Sequence, residues 1–309
     1  MFRRSLFEVL LETPQARRMR DFSADHAWLS INTATLRKQH GTERPLIDIL
    51  DNCAQHGIRA VSPWRDQVAA AGLQATGRAI RSHGFALSGY CRGGMFTAAD
   101  DAGLQLARDE NLRALDEACE LDAACLVLVV GALPGALQGS ALHKDIALSR
   151  RQVRDGIEWL LEQARARRMP LAIEPLHPMY AADRACVNTL EQALDLCDAL
   201  DPQRSGALGV AVDLYHVWWD PKLKAQIERA GRERLLAFHV CDWLTPTTDL
   251  LNDRGMMGDG VIDIRQLRGW VEAQGVAGFC EVEIFSNAWW ARSGNEILGT
   301  CIERHRRCV

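Results

Sequence analysis

"PLAIEPL", residues 170–176, lies between two stretches with helical spacing, roughly 146–168 and 188–200. A strand with one wet face alternates apolar and polar residues; Leu171, Ala172 and Ile173 do not. A short apolar run without alternation is buried on both faces, as in a parallel sheet covered by helices. The run stops at Glu174, followed by Pro175 and, two residues on, His177. Burying a carboxylate is costly without a partner. One heptapeptide therefore predicts a parallel α/β fold and chemistry at the end of a strand.

Seven more runs of this kind surround it: 28–33, 57–64, 85–91, 125–131, 207–213, 235–242 and 279–286. Helical stretches separate them, at about 44–56, 66–83, 101–121, 146–168, 188–200, 221–231 and 263–274, with a last one near 293–307. Proline opens the first (Pro45), and Asp220–Pro221 puts proline in a first turn, where its missing N–H costs nothing. Eight strands alternating with eight helices predict the closed (β/α)8 or TIM barrel. An open doubly wound sheet would carry a glycine-rich phosphate loop after its first strand, and "SINTATLRKQHG" (30–41) has none. The barrel domain is expected over residues 28–309. Residues 1–27 read as an N-terminal extension, an amphipathic helix lying on the barrel or on a neighbouring subunit.

The chain has 309 residues, 48% hydrophobic and 25% charged, with a formal net charge of −4. A nucleic-acid binder carries a basic footprint, which this composition lacks. The ten cysteines form no C-x-x-C pair, so they are expected to be reduced thiols in a cytoplasmic protein rather than a zinc ribbon or redox motif. The N-terminus lacks the long apolar region and cleavage site of a signal peptide, and no apolar run is long enough to span a membrane.

Barrel enzymes gather their reactive groups at the C-terminal ends of the strands. The fifth strand ends in Glu174 with His177 beyond it. The sixth ends in Asp213 with His216 three residues on. The seventh carries His239 and then Asp242, and the eighth Glu281 and Glu283. A lone strand-end glutamate often caps a helix or pairs with arginine, and a lone histidine is often a core residue. Four successive strands ending in metal-ligand types are a stronger signal. Three carboxylates with one imidazole form a hard to borderline donor set, suited to Mn²⁺ first, with Mg²⁺, Co²⁺ and Zn²⁺ as the other candidates. Glu281 and Glu283 share strand parity, so both point the same way. Asp242 is expected to orient His216 or His239 from behind. Trp64, Trp218, Trp219, Trp243, Trp289 and Trp290 fall just beyond strand ends and suit an aromatic-rich pocket. Arg65 and Arg92 are the candidates for holding an anionic or polyhydroxy group. His177, His216, Trp64 and Trp243 complete the expected substrate-binding set.

The motifs "AIEP" (172–175), "DLYH" (213–216), "HVCD" (239–242), "GMMGDGVIDI" (255–264) and "VEIF" (282–285) resemble the sugar phosphate isomerase/epimerase family. These are the xylose-isomerase-like barrels, which also include AP endonuclease, ketose 3-epimerases, inosose dehydratase and 3-dehydroshikimate dehydratase. The resemblance runs from about residue 28 to the end. It implies four metal ligands, Glu174, Asp213, His239 and Glu283, and it favours Glu283 over Glu281. Two departures stand out. Ketose 3-epimerases carry an arginine soon after the seventh-strand histidine, where this chain has Trp243 and Thr245. The three-metal nucleases carry histidines at the early strand ends, where this chain has Asn32, Trp64, Arg92 and Gly131.

The expected activity is that of a metal-dependent isomerase or epimerase of a keto-sugar or related polyol. Glu174 and Glu283 would serve as catalytic acid and base around an enediolate. The alternative is a metal-dependent lyase, either a dehydratase of the 3-dehydroshikimate type or an enzyme cleaving an oxidised glycoside. A nuclease or a non-catalytic barrel is the remaining class. The expected partner is a small carbohydrate-like molecule, with neither nucleic acid nor membrane; a homo-oligomer is left open. Glu283, nearer the strand end, is expected to be the ligand. Glu281, one layer deeper, is expected to be a supporting carboxylate paired with an arginine, a lysine or a water network.

Overall fold

The structure, a computed structural model, describes residues 19–309. The expectation of an amphipathic helix over residues 1–27 falls mostly outside the described residues; residues 19–27 are irregular.

Nine strands form the main sheet: β1 (Leu29–Asn32), β2 (Ala60–Ser62), β3 (Ala86–Leu87), β4 (Tyr90–Gly94), β5 (Leu126–Val129), β6 (Leu171–Ile173), β7 (Leu208–Asp213), β8 (Leu235–Val240) and β9 (Cys280–Val282). Their order is β3-β2-β1-β9-β8-β7-β6-β5-β4. The two ends of that order, β3 and β4, are consecutive in the chain. The sheet therefore comes round to a nearly closed parallel barrel. The sequence predicts one strand over 85–91; the structure breaks it at Ser88–Gly89. Ser88 keeps its backbone N–H on the ladder, donating to Val61 O, while its hydroxyl turns to Glu281.

The described chain divides into two compact units. In Cys91–Leu236, strands β5, β6 and β7 are buried along their whole length, as their unbroken apolar runs require. Helices Asp101–Glu120, Ile146–Arg167 and Leu190–Leu200 start where a side-chain oxygen satisfies an otherwise unpaired amide. Asp100 caps Gly103, Asp145 caps Leu148 and Thr189 caps Gln192. Val153, Ile157, Leu160, Leu161 and Ala164 form the buried stripe of the second of these helices. Arg234, 1% exposed, ends helix Leu223–Arg234 and donates to the carbonyls of Leu208 and Asp201.

The second unit takes residues up to Tyr90 together with Ala237–Val309. The single helix expected over 66–83 is two, Arg65–Ala71 and Leu73–His83, broken at Gly72, whose φ of +86° only glycine adopts without strain. A two-stranded antiparallel ribbon pairs Asp242 with Gly255 and Trp243 with Arg254. The segment from Arg20 is fastened to helices Ile264–Ala273 and Gly294–Cys308. Arg20 pairs with Glu272, Arg306 donates to Ser23 O, and Phe22 stacks between the Arg268 guanidinium (4.0 Å) and the His305 ring (4.6 Å).

All ten cysteines are free thiols, eight of them buried. Burial pushes the thiols of Cys53, Cys197 and Cys280 up to about 12. Among the described residues no helix is long and apolar enough to cross a membrane.

Candidate metal centre

Glu174 directly follows β6. Its N–H still donates to Leu128 O of β5, and Pro175 then removes the next donor and ends the pairing. Asp213 is the last residue of β7 and caps the one-turn helix Leu214–Val217. One carboxylate oxygen accepts from Tyr215 N–H at 2.8 Å, and the other lies 3.7 Å from His216 Nε2. His239 stands in β8 and Glu283 just past β9, with the Glu283 N–H donating to Val240 O. All four are buried, at 4%, 0%, 1% and 3% exposure. Each offers one ligand atom, and these atoms lie within 4.8 Å of one another.

Three carboxylates this close repel one another and have lost their water, so the arrangement needs positive charge. Arg254 supplies one unit, donating to the Glu283 carboxylate at 2.9 Å and lying over the Phe285 ring. A divalent cation could supply the rest, and a donor set of carboxylate oxygens with one imidazole fits one. The cluster can hold a metal ion on chemistry, burial and spacing alike.

The other expected residues divide. His216 is buried against the rings of Tyr180 and Tyr215. His177, half-buried, meets Trp219 edge-on at 5.7 Å, and burial lowers its imidazole pKa below the usual value. Its Nδ1 accepts from Met179 N–H. Trp64 is half-buried, packs on Ala34, Phe285 and Trp290, and donates its indole N–H to Asn32 Oδ1 at 2.8 Å. Trp243, also half-buried, lies opposite Arg254 in the ribbon. Arg65 opens helix Arg65–Ala71 and Arg92 stands in β4, both half-buried. Trp290 is core rather than rim, 4% exposed with its N–H on Ala34 O, and Trp289 lies under Arg292.

Two expectations need correcting. Asp242 does not orient a histidine. Its carboxylate accepts from the backbone N–H groups of Trp243, Gly258, Gly260 and Ile262, which holds the loop 255–262 in place. Glu281 pairs with neither arginine nor lysine; it accepts from Asn32 and Ser88. Sequence reasoning also missed Arg254. It sits in "LNDRGMMG" (251–258), a stretch without periodicity, and the available signal was a lone arginine opening the glycine-rich loop motif.

A family model described as xylose isomerase-like TIM barrel matches residues 50–301. The chain belongs to that family. Among solved structures, protein SMc04130 from Sinorhizobium meliloti 1021 is 56% identical, with a TM-score of 0.84 over 91% of this chain and 98% of that one. The IolI protein, solved with a binding zinc atom, is 18% identical, with a TM-score of 0.72 over 88% of this chain and 94% of that one. The E. coli 3-keto-D-glucoside 4-epimerase YcjR, in its apo form, is 16% identical, with a TM-score of 0.65 over 89% and 99%. The last two share the family's fold with this chain at low identity. No curated protein matches the chain.

Proposed function

We propose that this family member is a divalent-metal-dependent isomerase or epimerase of a keto-sugar or related polyol. The observation that carries the reading is the buried cluster of Glu174, Asp213, His239 and Glu283, with ligand atoms within 4.8 Å of one another. These four would hold the ion, Mn²⁺ being the first candidate for an oxygen-rich set. Held there, the ion would supply polarisation of a substrate carbonyl and so acidify the adjacent C–H. Glu174 and Glu283 come from different strands, so one carboxylate takes the proton and the other returns it. Arg254 holds Glu283 in one position and carries positive charge beside it. His177 and His216 would contact substrate hydroxyls, Trp64 and Trp243 its apolar face, and Arg65 and Arg92 its polar end. The relatives named as acting on sugars, 3-keto-D-glucoside 4-epimerase and D-psicose 3-epimerase, support the substrate class.

The test is incubation of the metal-loaded protein with a panel of keto-sugars and 3-keto-glycosides in D₂O. The expected result is solvent deuterium at the carbon beside the carbonyl, without loss of water or aglycone. An unsaturated or cleaved product would show a lyase instead, and no exchange with any keto-sugar would refute the proposal.

A further inference from the structure

One buried carboxylate beside the cluster is left without a role. Glu281 is 1% exposed, and both its oxygens are engaged. Oε1 accepts from Asn32 Nδ2 at 2.8 Å, and Oε2 accepts from Ser88 Oγ at 2.7 Å. Ser88 is backed by Ser30, 2.6 Å away. Asn32 is fixed in turn, because its Oδ1 accepts from Trp64 Nε1 at 2.8 Å and from Ala34 N at 3.0 Å. The carboxylate is therefore clamped by two neutral donors, with its position fixed. Across the parallel pair β8–β9, His239 is the register partner of Glu281, and His239 Nε2 lies 3.6 Å from Glu281 Oε1. That gap is longer than a hydrogen bond. It is still short enough for the carboxylate's field to favour a proton on the nearer ring nitrogen and the lone pair on the farther one.

We propose that Glu281 is a positioning residue for the metal centre: it holds His239 in the tautomer that offers Nδ1 to the ion, and Asn32 holds Glu281. This rests on reading the cluster as a metal centre. A purely structural polar plug in the barrel interior would need its hydrogen bonds but not its charge. Here the charge faces a ligand side chain.

Glu281→Gln separates the two roles, because glutamine keeps the size and can keep the bonds to Asn32 and Ser88 while losing the charge. Four quantities would be measured on the full chain: Mn²⁺ affinity by chelator competition, the visible spectrum of the Co²⁺-loaded protein, the ¹⁵N shifts of the His239 ring without metal, and the thermal midpoint without metal. The expected outcome is about 10–100-fold weaker Mn²⁺ binding, an altered Co²⁺ band and a shift of the ring toward mixed tautomers, at an unchanged midpoint. Wild-type affinity and spectrum in a folded Glu281→Gln protein would overturn the inference and leave the metal centre standing. If the wild-type chain binds no divalent ion, the metal-centre reading fails, and this inference with it. Should Glu281→Gln not fold, Asn32→Ala frees one anchor and keeps the carboxylate. Weaker Mn²⁺ binding in that variant supports the inference, and unchanged binding refutes it.

Discussion

The Arg254 guanidinium donates to the Glu283 carboxylate at 2.9 Å with both side chains buried, one on the ribbon after β8 and the other just past β9. Removing one partner of such a pair strands the other's charge. Arg254→Met should destabilise the metal-free protein by about 3–5 kcal/mol. Mn²⁺ should recover part of that loss by supplying positive charge. Urea unfolding with and without Mn²⁺ measures both; equal losses in the two conditions would separate Arg254 from the metal centre.

Glu174→Gln and Glu283→Gln preserve side-chain size while removing a proton acceptor and weakening a ligand. Each should lower turnover by about 10²–10⁴-fold, with the circular dichroism spectrum unchanged. Turnover within a factor of ten of wild type at saturating Mn²⁺ would remove that carboxylate from the chemistry.

Ion binding that is specific for the folded state must raise its stability. At a Mn²⁺ concentration a hundred times the dissociation constant the gain is about 2.7 kcal/mol, visible as a higher melting temperature that EDTA reverses. Asp213→Asn should abolish most of that shift. A midpoint that ignores Mn²⁺, Mg²⁺, Co²⁺ and Zn²⁺ alike would argue against the centre.

Burial, with the nearby Arg268 charge adding to it, pushes the His305 imidazole down from 6.5 to about 3. Above pH 6.5 it is neutral in folded and unfolded chains, and its contribution to stability is complete. As the pH falls from 6.5 toward 3, the unfolded chain takes a proton that the folded chain refuses. Stability should then drop by up to about 1.4 kcal/mol per pH unit. His305→Phe keeps a ring to stack on Phe22 and should flatten that slope in denaturation series between pH 4 and 6.5. An unchanged slope would assign the acid sensitivity to other groups.

Asp242 supports its loop through backbone amides alone. Asp242→Ala leaves those amides without an acceptor and should cost about 2–4 kcal/mol. Hydrogen exchange should quicken at Gly258, Gly260 and Ile262 first. Protection at those amides equal to wild type would show that other contacts hold the loop.

The eight runs were readable because a strand buried on both faces must be apolar throughout, and the first helix start because Pro45 stands directly before Leu46–Gln55. The cluster was readable because strand ends share one rim, so Glu174, Asp213, His239 and Glu283 needed only correct strand order to be grouped. What was not readable depends on contacts distant in sequence. The break between β3 and β4 turns on Ser88 reaching Glu281. Asp242 stands three residues after His239, and spacing alone carries no information on where its carboxylate points. Arg254 sits on a ribbon only two residues wide per strand, too short to leave a periodic trace.

The ribbon that carries Arg254 is fixed at its base, where Trp243 and Arg254 face each other, and it is braced from the loop side by Asp242. Its foot is also tied to the segment after β9, with Asn252 O accepting from Asn287 N–H and Asp253 bridging to Ser286; the tip, residues 244–251, includes the exposed Leu250. Evolution can therefore lengthen, shorten or exchange the tip while the guanidinium stays at the same address. The hairpin is a natural cassette, and exchanging residues 244–251 should leave the Arg254–Glu283 pair where it is.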